Sequence, residues 1–364
     1  MKWILRILFF PVLVVNFGVA LLLIGCAYSP LLPPATLPLL SLAGLAFPFV
    51  LVGNILFIIA WLLVCRRYIW LSVIACLICL PQIRAFSPVN INQQEPPTDA
   101  IKLLSYNILS SNLTPSTANS DNPLIIYLED SDADIICLQE FPFASLKSNA
   151  KAKKLLADYP YKSYNVSKDS ESSAKFLGCL SKYPILSVDR LDIGSTTNGC
   201  TKYRILHDTD TIVVYNCHLE SNRLDAGNKS TYEQLFTKPK KENIKVDETK
   251  VLVKKLRDAA TKRSQQTDII MADMRQETTP YIIVCGDFND SPISYTREQL
   301  TDELDDAFVG SGNGPGFSYN RNKMYYRIDH ILHSRAFESY ACKVDHTVKV
   351  SDHYPISCYL EKRQ

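Results

Sequence analysis

The stretch YIIVCGDFND, Tyr281–Asp290, joins an apolar run to two carboxylates and an amide. The apolar run predicts a buried strand, and Gly286 allows the chain to leave that strand sharply. Asp287 and Asn289 are two residues apart, so their side chains point the same way if the chain is extended. Aspartate and asparagine are also common in turns, and the stretch by itself favours a turn. Its chemistry depends on the rest of the chain.

Apolar runs with polar ends recur through the second part of the chain, between stretches of helical or loop character. We expect strands at Ile101–Asn107, Ala133–Glu140, Thr211–Leu219, Tyr281–Cys285, Arg327–Ser334 and Ile356–Leu360. Residues that handle metals or protons mark five of these strand ends: Asn107, Glu140, His218, Asp287 and Asp329. One such end is usually a turn, whereas five predict a shared cleft.

In chain order, the polar ends give the motifs SYNI (Ser105–Ile108), LQE (Leu138–Glu140), NCHLES (Asn216–Ser221), GDFND, RIDHI (Arg327–Ile331) and SDHYPI (Ser351–Ile356). Over roughly residues 100–361 this order resembles the endonuclease/exonuclease/phosphatase family. GDFN and SDHYP together make the likeness specific. The resemblance implies an α/β fold, a four-layer sandwich of two mixed β-sheets packed face to face with helices outside. It also implies a divalent-metal-dependent phosphoester hydrolase.

The metal implied by the resemblance is Mg²⁺, with Mn²⁺ as an alternative ion. Glu140 would be the principal ligand, with Asn107 beside it and Asp352 joining. Hard oxygen ligands of this kind suit Mg²⁺, which keeps several waters and needs only one or two carboxylates.

The resemblance places His353 near the scissile phosphate, with Asp329 hydrogen-bonded to it. This pair would either activate a water or hold a charged imidazolium against the transition state. Asp287 is the rival general base, with Asn289 orienting it or the phosphate. The sequence leaves this choice open.

His218 resembles the family's second histidine, which binds a phosphate oxygen or protonates the leaving group. Asn216 would support it, so that Asn216, His218 and Asn289 form the expected substrate-binding set. In the deoxyribonuclease branch a glutamate pairs with this histidine, but the corresponding region here offers only Glu171, which stays unassigned. Four histidines match no catalytic position of the motifs, and only the second is expected to neighbour the site: His207, His330, His333 and His346.

The first 86 residues are predicted to form a membrane anchor. Ile4–Tyr28 and Leu37–Val64 are almost wholly apolar, and each exceeds the roughly 20 residues that span a bilayer. Tyr68–Leu80 is shorter and reaches adequate length if it continues to Phe86. Three such segments in a row indicate about three transmembrane helices.

The cations set the expected orientation of this anchor. Lys2 and Arg6 precede the first segment, Arg66 and Arg67 lie between the second and third, and residues 29–36 carry no charge. The positive-inside rule then puts the N-terminus in the cytoplasm and the chain after the third segment on the extracytoplasmic side of the inner membrane. Arg84 counts weakly against this orientation.

Leu23–Cys26 resembles a bacterial lipoprotein cleavage site, but we prefer an uncleaved, multi-pass anchor. Ser87–Ala100 is polar and proline-rich, which predicts a tether. The expected organisation is therefore an anchor at residues 1–86, a linker at 87–99 and a catalytic domain at 100–364.

Charge limits the substrate classes. The chain has 39 Lys and Arg against 37 Asp and Glu; residues 1–95 hold five cations and one anion, which leaves 34 and 36 and a formal charge of −2. The soluble part therefore has no large basic face for long nucleic acid, although a weakly binding nuclease stays compatible. Phospholipid, sugar phosphate and nucleic acid remain candidate substrates, and the anchor favours lipid slightly. No obligate protein partner is implied.

A different class of function is a catalytically inactive member of the fold that acts as a binding scaffold at the membrane. Loss of a metal carboxylate or of a motif histidine would have favoured it. All of them are present, so hydrolysis is preferred.

Three further features of the sequence carry structural expectations. Glu248–Gln276 predicts a long helix whose apolar face includes Arg263 and Gln266, which either brace loops near the cleft or make ordinary polar contacts. Lys238–Lys245 is a basic loop, more typical of a solvated insertion than of a lipid contact. Eleven cysteines do not imply a complete disulfide framework, and Cys342 and Cys358 are expected to be free thiols rather than a pair.

Overall fold

The computed structural model describes residues 2–91, 93–109, 122–141, 150–164, 177–224, 246–321 and 326–363. Within these ranges twelve strands form two six-stranded sheets. The strands are β1 (Ile101–Asn107), β2 (Ile135–Gln139), β3 (Tyr161–Tyr164), β4 (Leu177–Ser181), β5 (Ile185–Leu191), β6 (Gly199–His207), β7 (Asp210–His218), β8 (Ile282–Asp287), β9 (Leu304–Asp306), β10 (Asp329–Ser334), β11 (Phe337–Val344) and β12 (Ile356–Lys362). Every strand expected from the sequence is present, with its ends within two residues.

The helices of the described residues, numbered in chain order, are α1 (Lys2–Tyr28), α2 (Pro38–Ser41), α3 (Phe47–Val64), α4 (Ile69–Ile78), α5 (Leu80–Phe86), α6 (Pro123–Asp130), α7 (Ala150–Asp158), α8 (Val246–Met274), α9 (Tyr295–Thr301) and α10 (Ala307–Ser311). Short 3-10 helices lie at Ser29–Leu31, Leu42–Ala46 and Arg66–Tyr68. The expected long helix at Glu248–Gln276 is α8. The basic loop at residues 238–245 and Glu171 lie outside the described residues.

Both sheets are mixed. Their strand orders are β11-β12-β1-β2-β4-β3 and β5-β6-β7-β8-β10-β9. The pairs β1–β2 and β7–β8 are parallel. The neighbouring pairs are antiparallel, among them β1 with β12 and β8 with β10. Parallel neighbours run in the same direction, so each parallel pair ends at one edge of its sheet.

The sheets pack face to face, with helices outside. Inward side chains such as Leu103 and Ile135 of the first sheet share one core with Val214 and Ile283 of the second. Side chains of α6 and α7 cover the outer face of the first sheet, and those of α8 and α9 cover the second. The expected four-layer α/β sandwich is confirmed.

The N-terminal helices pack against one another, with α1 against α3 and α4. Phe9–Leu31 and Pro38–Val64 are long and apolar enough to cross a membrane. The third expected span is a pair of helical stretches, Arg66–Ile78 and Leu80–Phe86, bent by 64°, and counts as one span only if both are taken together. Pro81 stands near the start of α5 and has no N–H to continue the preceding helix, which explains the break.

Buried polar side chains join these apolar helices. Asn16 Nδ2 donates to Ser72 Oγ at 2.7 Å, and Asn16 Oδ1 accepts from Trp61 Nε1 at 2.8 Å. Asn54 Nδ2 donates to the Val19 carbonyl at 3.1 Å. Such interhelical hydrogen bonds hold helices together where the surroundings are as apolar as the side chains.

The described residues of the segment 87–99 form no helix or strand, but some of their side chains are hydrogen-bonded to the rest of the chain. Asn90 Nδ2 donates to the carbonyls of Val309 and Gly312, at 3.2 and 2.5 Å. Gln93 Nε2 donates to the Ser311 carbonyl at 2.9 Å. Polar side chains of the expected linker are therefore bonded to α10 and the residue after it.

The N-terminal helices also contact the sandwich directly. Arg327 is buried, and its guanidinium donates to the carbonyls of Ala85 and Phe86 at the end of α5. Gly44 packs against the backbone of Ile293 so closely that a Cβ at residue 44 would lie 2.1 Å from the Ile293 carbonyl oxygen. The helical bundle and the sandwich therefore share a fitted interface. All eleven cysteines, including Cys342 and Cys358, are free thiols.

Candidate active site

Strand pairing brings three of the expected residues together at one edge of the second sheet. In the parallel pair β7–β8, His218 lies beside Asp287, and in the antiparallel pair β8–β10, Asp287 lies beside Asp329. His218 Nε2 is 3.6 Å from Asp287 Oδ2. Asp287 therefore occupies the centre of this row.

The first sheet contributes Asn107, at the end of β1, and Glu140, directly after β2. Asn107 Nδ2 donates to Asp287 Oδ2 at 3.0 Å and lies 3.4 Å from Glu140 Oε1, so one amide links the two sheets. Its Oδ1 accepts from the Leu109 N–H at 3.2 Å. Glu140 has a φ of +54°, a backbone conformation that is uncommon for residues other than glycine and tends to occur at functional sites.

The SDHYP loop is fixed to β1. Ser351 Oγ donates to the Asn107 carbonyl at 2.8 Å and accepts the His353 N–H at 3.2 Å. His353 Nδ1 is thereby held 2.8 Å from Asp329 Oδ2, while its Nε2 lies 3.7 Å from Asp287 Oδ2. The ring is sandwiched between two carboxylates.

This arrangement decides the charge of His353. Burial lowers the pKa of His353, but the carboxylates of Asp329 and Asp287 outweigh that effect and raise the pKa to about 10. Potential metal-ligating atoms of Asp287, Asp329 and His353 lie within 4.8 Å of one another. Because Nδ1 of His353 is hydrogen-bonded to Asp329 and its Nε2 faces Asp287, the ring is placed for proton and phosphate chemistry.

GDFND is both a turn and part of the site. Asp287 Oδ1 accepts the Asn289 N–H at 2.8 Å, and Asn289 has a φ of +52°. Asn289 Nδ2 donates to the Leu219 carbonyl at 3.0 Å. Gly286 has a φ of +132°, and a Cβ there would lie 1.9 Å from the Cys217 carbonyl oxygen. The chain is therefore not extended after β8, and the sharp exit needs glycine.

These residues line a cleft of about 240 Å³. It contains seven of the nine residues expected from the sequence: Asn107, Glu140, His218, Asp287, Asn289, Asp352 and His353. Asp329 lies behind the His353 ring.

Asn216 is not brought into the cleft. It is completely buried between the sheets, where its Nδ2 donates to the carbonyls of Leu138 and Gly178 and its Oδ1 accepts from Gln139. A side chain engaged in this way supports the strand that carries His218.

The long helix α8 braces loops at the cleft. Arg263 Nε donates to Asp290 Oδ2 at 3.1 Å, and its NH1 donates to the Glu220 carbonyl at 2.9 Å. Gln266 Oε1 accepts the Glu220 N–H at 2.9 Å. The sequence left open whether Arg263 and Gln266 brace loops near the cleft or make ordinary polar contacts. These hydrogen bonds show that they brace the loops. His330 contacts the same region, with Nε2 3.3 Å from the Asp290 carbonyl.

Three features of the site were missed from the sequence. Glu220 is buried and accepts from Ser195 Oγ at 2.8 Å. It lies inside the NCHLES motif, which was the only signal for it. Leu42 and Leu45 line the cleft from the N-terminal helices, and no local pattern distinguishes them from other apolar residues of that segment.

The donor chemistry of two further cleft residues, Glu140 and Asp352, fits a hard cation. The carboxylates of Glu140 and Asp352 both line the cleft. Their side-chain contacts within the described parts of the chain are long, 3.4 Å from Glu140 to Asn107 and 3.5 Å from Asp352 to Ser351, and none is with lysine or arginine. Two unneutralised carboxylates facing one space suit Mg²⁺.

Family models match two parts of the chain. The model of the Endonuclease/Exonuclease/phosphatase family matches residues 104–353, more than half of the chain. A domain of unknown function, DUF8431, matches residues 6–86. No curated protein matches the chain significantly.

Solved structures share the fold at low sequence identity. TDP2 of D. rerio, humanized by 14 mutations, is 15% identical over 73% of this chain and 100% of that chain, with a TM-score of 0.51. An endonuclease/exonuclease/phosphatase family protein of Bacteroides thetaiotaomicron is 15% identical over 74% and 100%, with a TM-score of 0.51. The catalytic domain of human nocturnin, with a bound sulfate anion, is 16% identical over 76% and 96%, with a TM-score of 0.50.

Proposed function

Because the chain belongs to the endonuclease/exonuclease/phosphatase family, we propose that it is a divalent-metal-dependent phosphoester hydrolase held at a membrane. One observation carries the proposal: His218, Asp287 and the ring of His353 line one cleft with the carboxylates of Glu140 and Asp352, and Asp329 holds that ring from behind. A histidine held by carboxylates and a pair of carboxylates that could hold a metal, all lining one space, suit a phosphoryl group.

Glu140 and Asp352 would hold Mg²⁺ or Mn²⁺, and Asn107 would orient the Glu140 carboxylate. When bound, the ion would polarise a phosphoryl oxygen and offset the charge that develops there. The Asn107 amide donates its N–H groups towards Glu140 and Asp287, so we assign it to positioning and no longer to the ligand set.

Proton handling falls to Asp287 and the two histidines. The raised pKa of His353 favours its charged form, which would donate a hydrogen bond to the phosphoryl group and not accept a proton from water. Asp287 would then take the proton of the attacking water, with its oxygens oriented by Asn107 and the Asn289 N–H. The water oxygen would bond to phosphorus and the bond from phosphorus to the leaving oxygen would break. His218 would donate a proton to that leaving oxygen.

The test is a panel of phosphoesters with the full chain in detergent, assayed with Mg²⁺ and with chelator. The panel contains sphingomyelin, phosphoinositides, phosphatidic acid, a sugar phosphate, plasmid DNA and bis-p-nitrophenyl phosphate. We expect hydrolysis of at least one class that chelator abolishes and Mg²⁺ restores. No turnover of any class, with metal binding demonstrated by calorimetry, would support the inactive scaffold instead.

Glu140→Gln tests the metal assignment. The substitution keeps the shape of the side chain and removes the charge that attracts Mg²⁺. We expect a weaker Mg²⁺ affinity in calorimetry, and activity that recovers in part at high Mg²⁺. Asp158→Asn, on α7 and away from the cleft lining, is the matched control. Full activity of Glu140→Gln at low Mg²⁺ would remove Glu140 from the ligand set.

We further propose that residues 1–86 anchor the protein in the inner membrane as a multi-pass segment, with the catalytic domain, from residue 100, on the extracytoplasmic side. The support is the apolar length of Phe9–Leu31 and Pro38–Val64, the bent pair Arg66–Ile78 and Leu80–Phe86 taken together as a third span, and the cation distribution. A reporter fused after Gln364 should be active only outside the cytoplasm. If a reporter fused at this position is active in the cytoplasm, the proposed orientation is wrong.

A further inference from the structure

The catalytic cleft has an apolar part that the proposed reaction does not use. Its lining consists of six side chains: Leu42, Leu45, Leu224, Leu256, Tyr326 and Ile328. Together with Leu252 they form one contiguous cluster, the apolar wall. Glu140, Asp287 and His353 line the same cleft. A single space therefore combines phosphoester chemistry with a hydrocarbon-like surface.

Two residues of the apolar wall come from the N-terminal helices. Leu42 and Leu45 lie in the 3-10 helix Leu42–Ala46, inside the stretch Pro38–Val64 that is long and apolar enough to cross a membrane. The preceding residues Leu39 and Leu40 are 61% and 55% exposed. The apolar wall is thus continuous with a surface that would face lipid.

Packing fixes this segment on the cleft. Gly44 lies directly against the Ile293 backbone, and no larger residue fits there. Tyr326 Oη donates to the Leu45 carbonyl at 3.4 Å, and Thr261 Oγ1 donates to the Pro34 carbonyl at 3.3 Å. Leu42 and Leu45 are nevertheless only partly buried. The structure therefore holds two apolar side chains in place while leaving part of their surface open.

We propose that the apolar wall binds the hydrocarbon part of a bilayer lipid whose phosphoester group lies against Glu140, Asp287 and His353, so that the substrate is a lipid phosphoester. The inference rests on the proposed hydrolase function and names its substrate class. A hydrocarbon chain would cover the wall, and burial of apolar surface contributes about 25 cal/mol per Å². A sugar phosphate or a nucleotide chain would leave the wall exposed to water.

The formal charge of residues 96–364 also favours a lipid substrate. Residues 96–364 carry a formal charge of −2, so they do not supply the basic surface that attracts long nucleic acid. A lipid already in the membrane needs no such attraction, because the stretch Pro38–Val64 brings the cleft to the bilayer surface.

The experiment uses the full chain in mixed micelles of a nonionic detergent. The specificity ratio is kcat/KM for the best phospholipid of the panel divided by kcat/KM for bis-p-nitrophenyl phosphate. The variants are Leu42→Gln and Leu45→Gln, with Leu39→Gln as the control on the same segment but outside the cleft lining. The hydrolysis of the soluble diester also reports whether each variant is folded.

We expect the ratio to fall about tenfold or more in Leu42→Gln and Leu45→Gln, since removing apolar contacts from a pocket typically changes discrimination 10–200-fold. The ratio of Leu39→Gln should stay at the wild-type value. A second comparison uses one headgroup with long acyl chains or with four-carbon chains. The long-chain lipid should be the better substrate of the wild type, and this preference should shrink in both wall variants.

Three results would overturn the inference. The first is hydrolysis of the soluble diester without hydrolysis of any phospholipid, which leaves the hydrolase function intact. The second is an equal fall of kcat/KM for the lipid and for the soluble diester in the wall variants, which would mean that the wall only contributes to packing. The third is no hydrolysis of any substrate with metal bound, which refutes the hydrolase function and the inference together.

Discussion

His353→Ala is expected to lower kcat by about 10²–10⁴-fold, the range that a positioned acid, base or charged donor contributes. The ring of His353 lies between the carboxylates of Asp329 and Asp287, which raise its pKa to about 10 and favour a positive charge next to the expected phosphate position. Its removal leaves Glu140 and Asp352 in place, so Mg²⁺ affinity in calorimetry should change little. Rates on the best panel substrate measure kcat.

Asp329→Asn should behave as a milder version of His353→Ala. The carboxylate fixes the ring through Nδ1 at 2.8 Å and favours the charged imidazole, and an amide does the first without the second. Because the two residues act as a unit, the double variant should be little slower than His353→Ala alone. Effects of the two substitutions that simply multiply would refute the pairing.

His346→Ala is the matched control for His353→Ala. His346 is exposed and contacts the Phe317 carbonyl at 2.8 Å, outside the cleft lining. Its removal should leave kcat within about twofold, since surface substitutions away from such sites usually change little. A loss in His346→Ala as large as that in His353→Ala would mean that the assay reports folding and not catalysis.

Gly286→Ala is expected to destabilise the protein strongly and to abolish most of its activity. A Cβ, whose position the backbone of residue 286 sets, would lie 1.9 Å from the Cys217 carbonyl oxygen, so neither atom can rotate away. The strands β7 and β8 must separate, which displaces His218 and Asp287 together. Overpacking typically costs about 1–3 kcal/mol or more, and the unfavourable φ adds about 1–3 kcal/mol. Thermal unfolding and kcat measure the two effects.

Gly194→Ala separates the clash from the backbone strain. Gly194 also has a positive φ, +65°, but no atom lies within 4 Å of the Cβ that alanine would add. We therefore expect a loss of stability limited to the strain, about 1–2 kcal/mol, with normal kcat. If Gly286→Ala is no less stable and no less active than Gly194→Ala, close approach of β7 and β8 does not set the site.

The sequence by itself determined the strands and the order of the site residues. An apolar run such as Ile282–Cys285 specifies a buried strand through local composition, and the polar residue at its end marks the edge of the sheet. Parallel pairing then forces neighbouring ends to one edge, which is why Asn107 and Glu140 were found on one side of the cleft. The apolar length of Pro38–Val64 is equally a property of composition.

Only the tertiary structure decided the charge and the contacts of the site. Asp287 contacts residues of both sheets, and His353 lies between two carboxylates that are 24 and 66 positions away in the chain, so its charge depends on three-dimensional distances. Side chains alternate along β7, so Asn216 and His218 lie on the same face of the sheet. Whether Asn216 faces the cleft or the interior of the sandwich depends on the facing sheet.

The position of the apolar wall is also decided only by the tertiary structure. Leu42 and Leu45 have the composition of any membrane segment, and nothing near them in sequence distinguishes them. Their position over the cleft comes from contacts with residues more than 200 positions later, such as Gly44 against Ile293 and the Leu45 carbonyl with Tyr326. Local composition fixes which residues are apolar, whereas packing between distant segments fixes what those residues face.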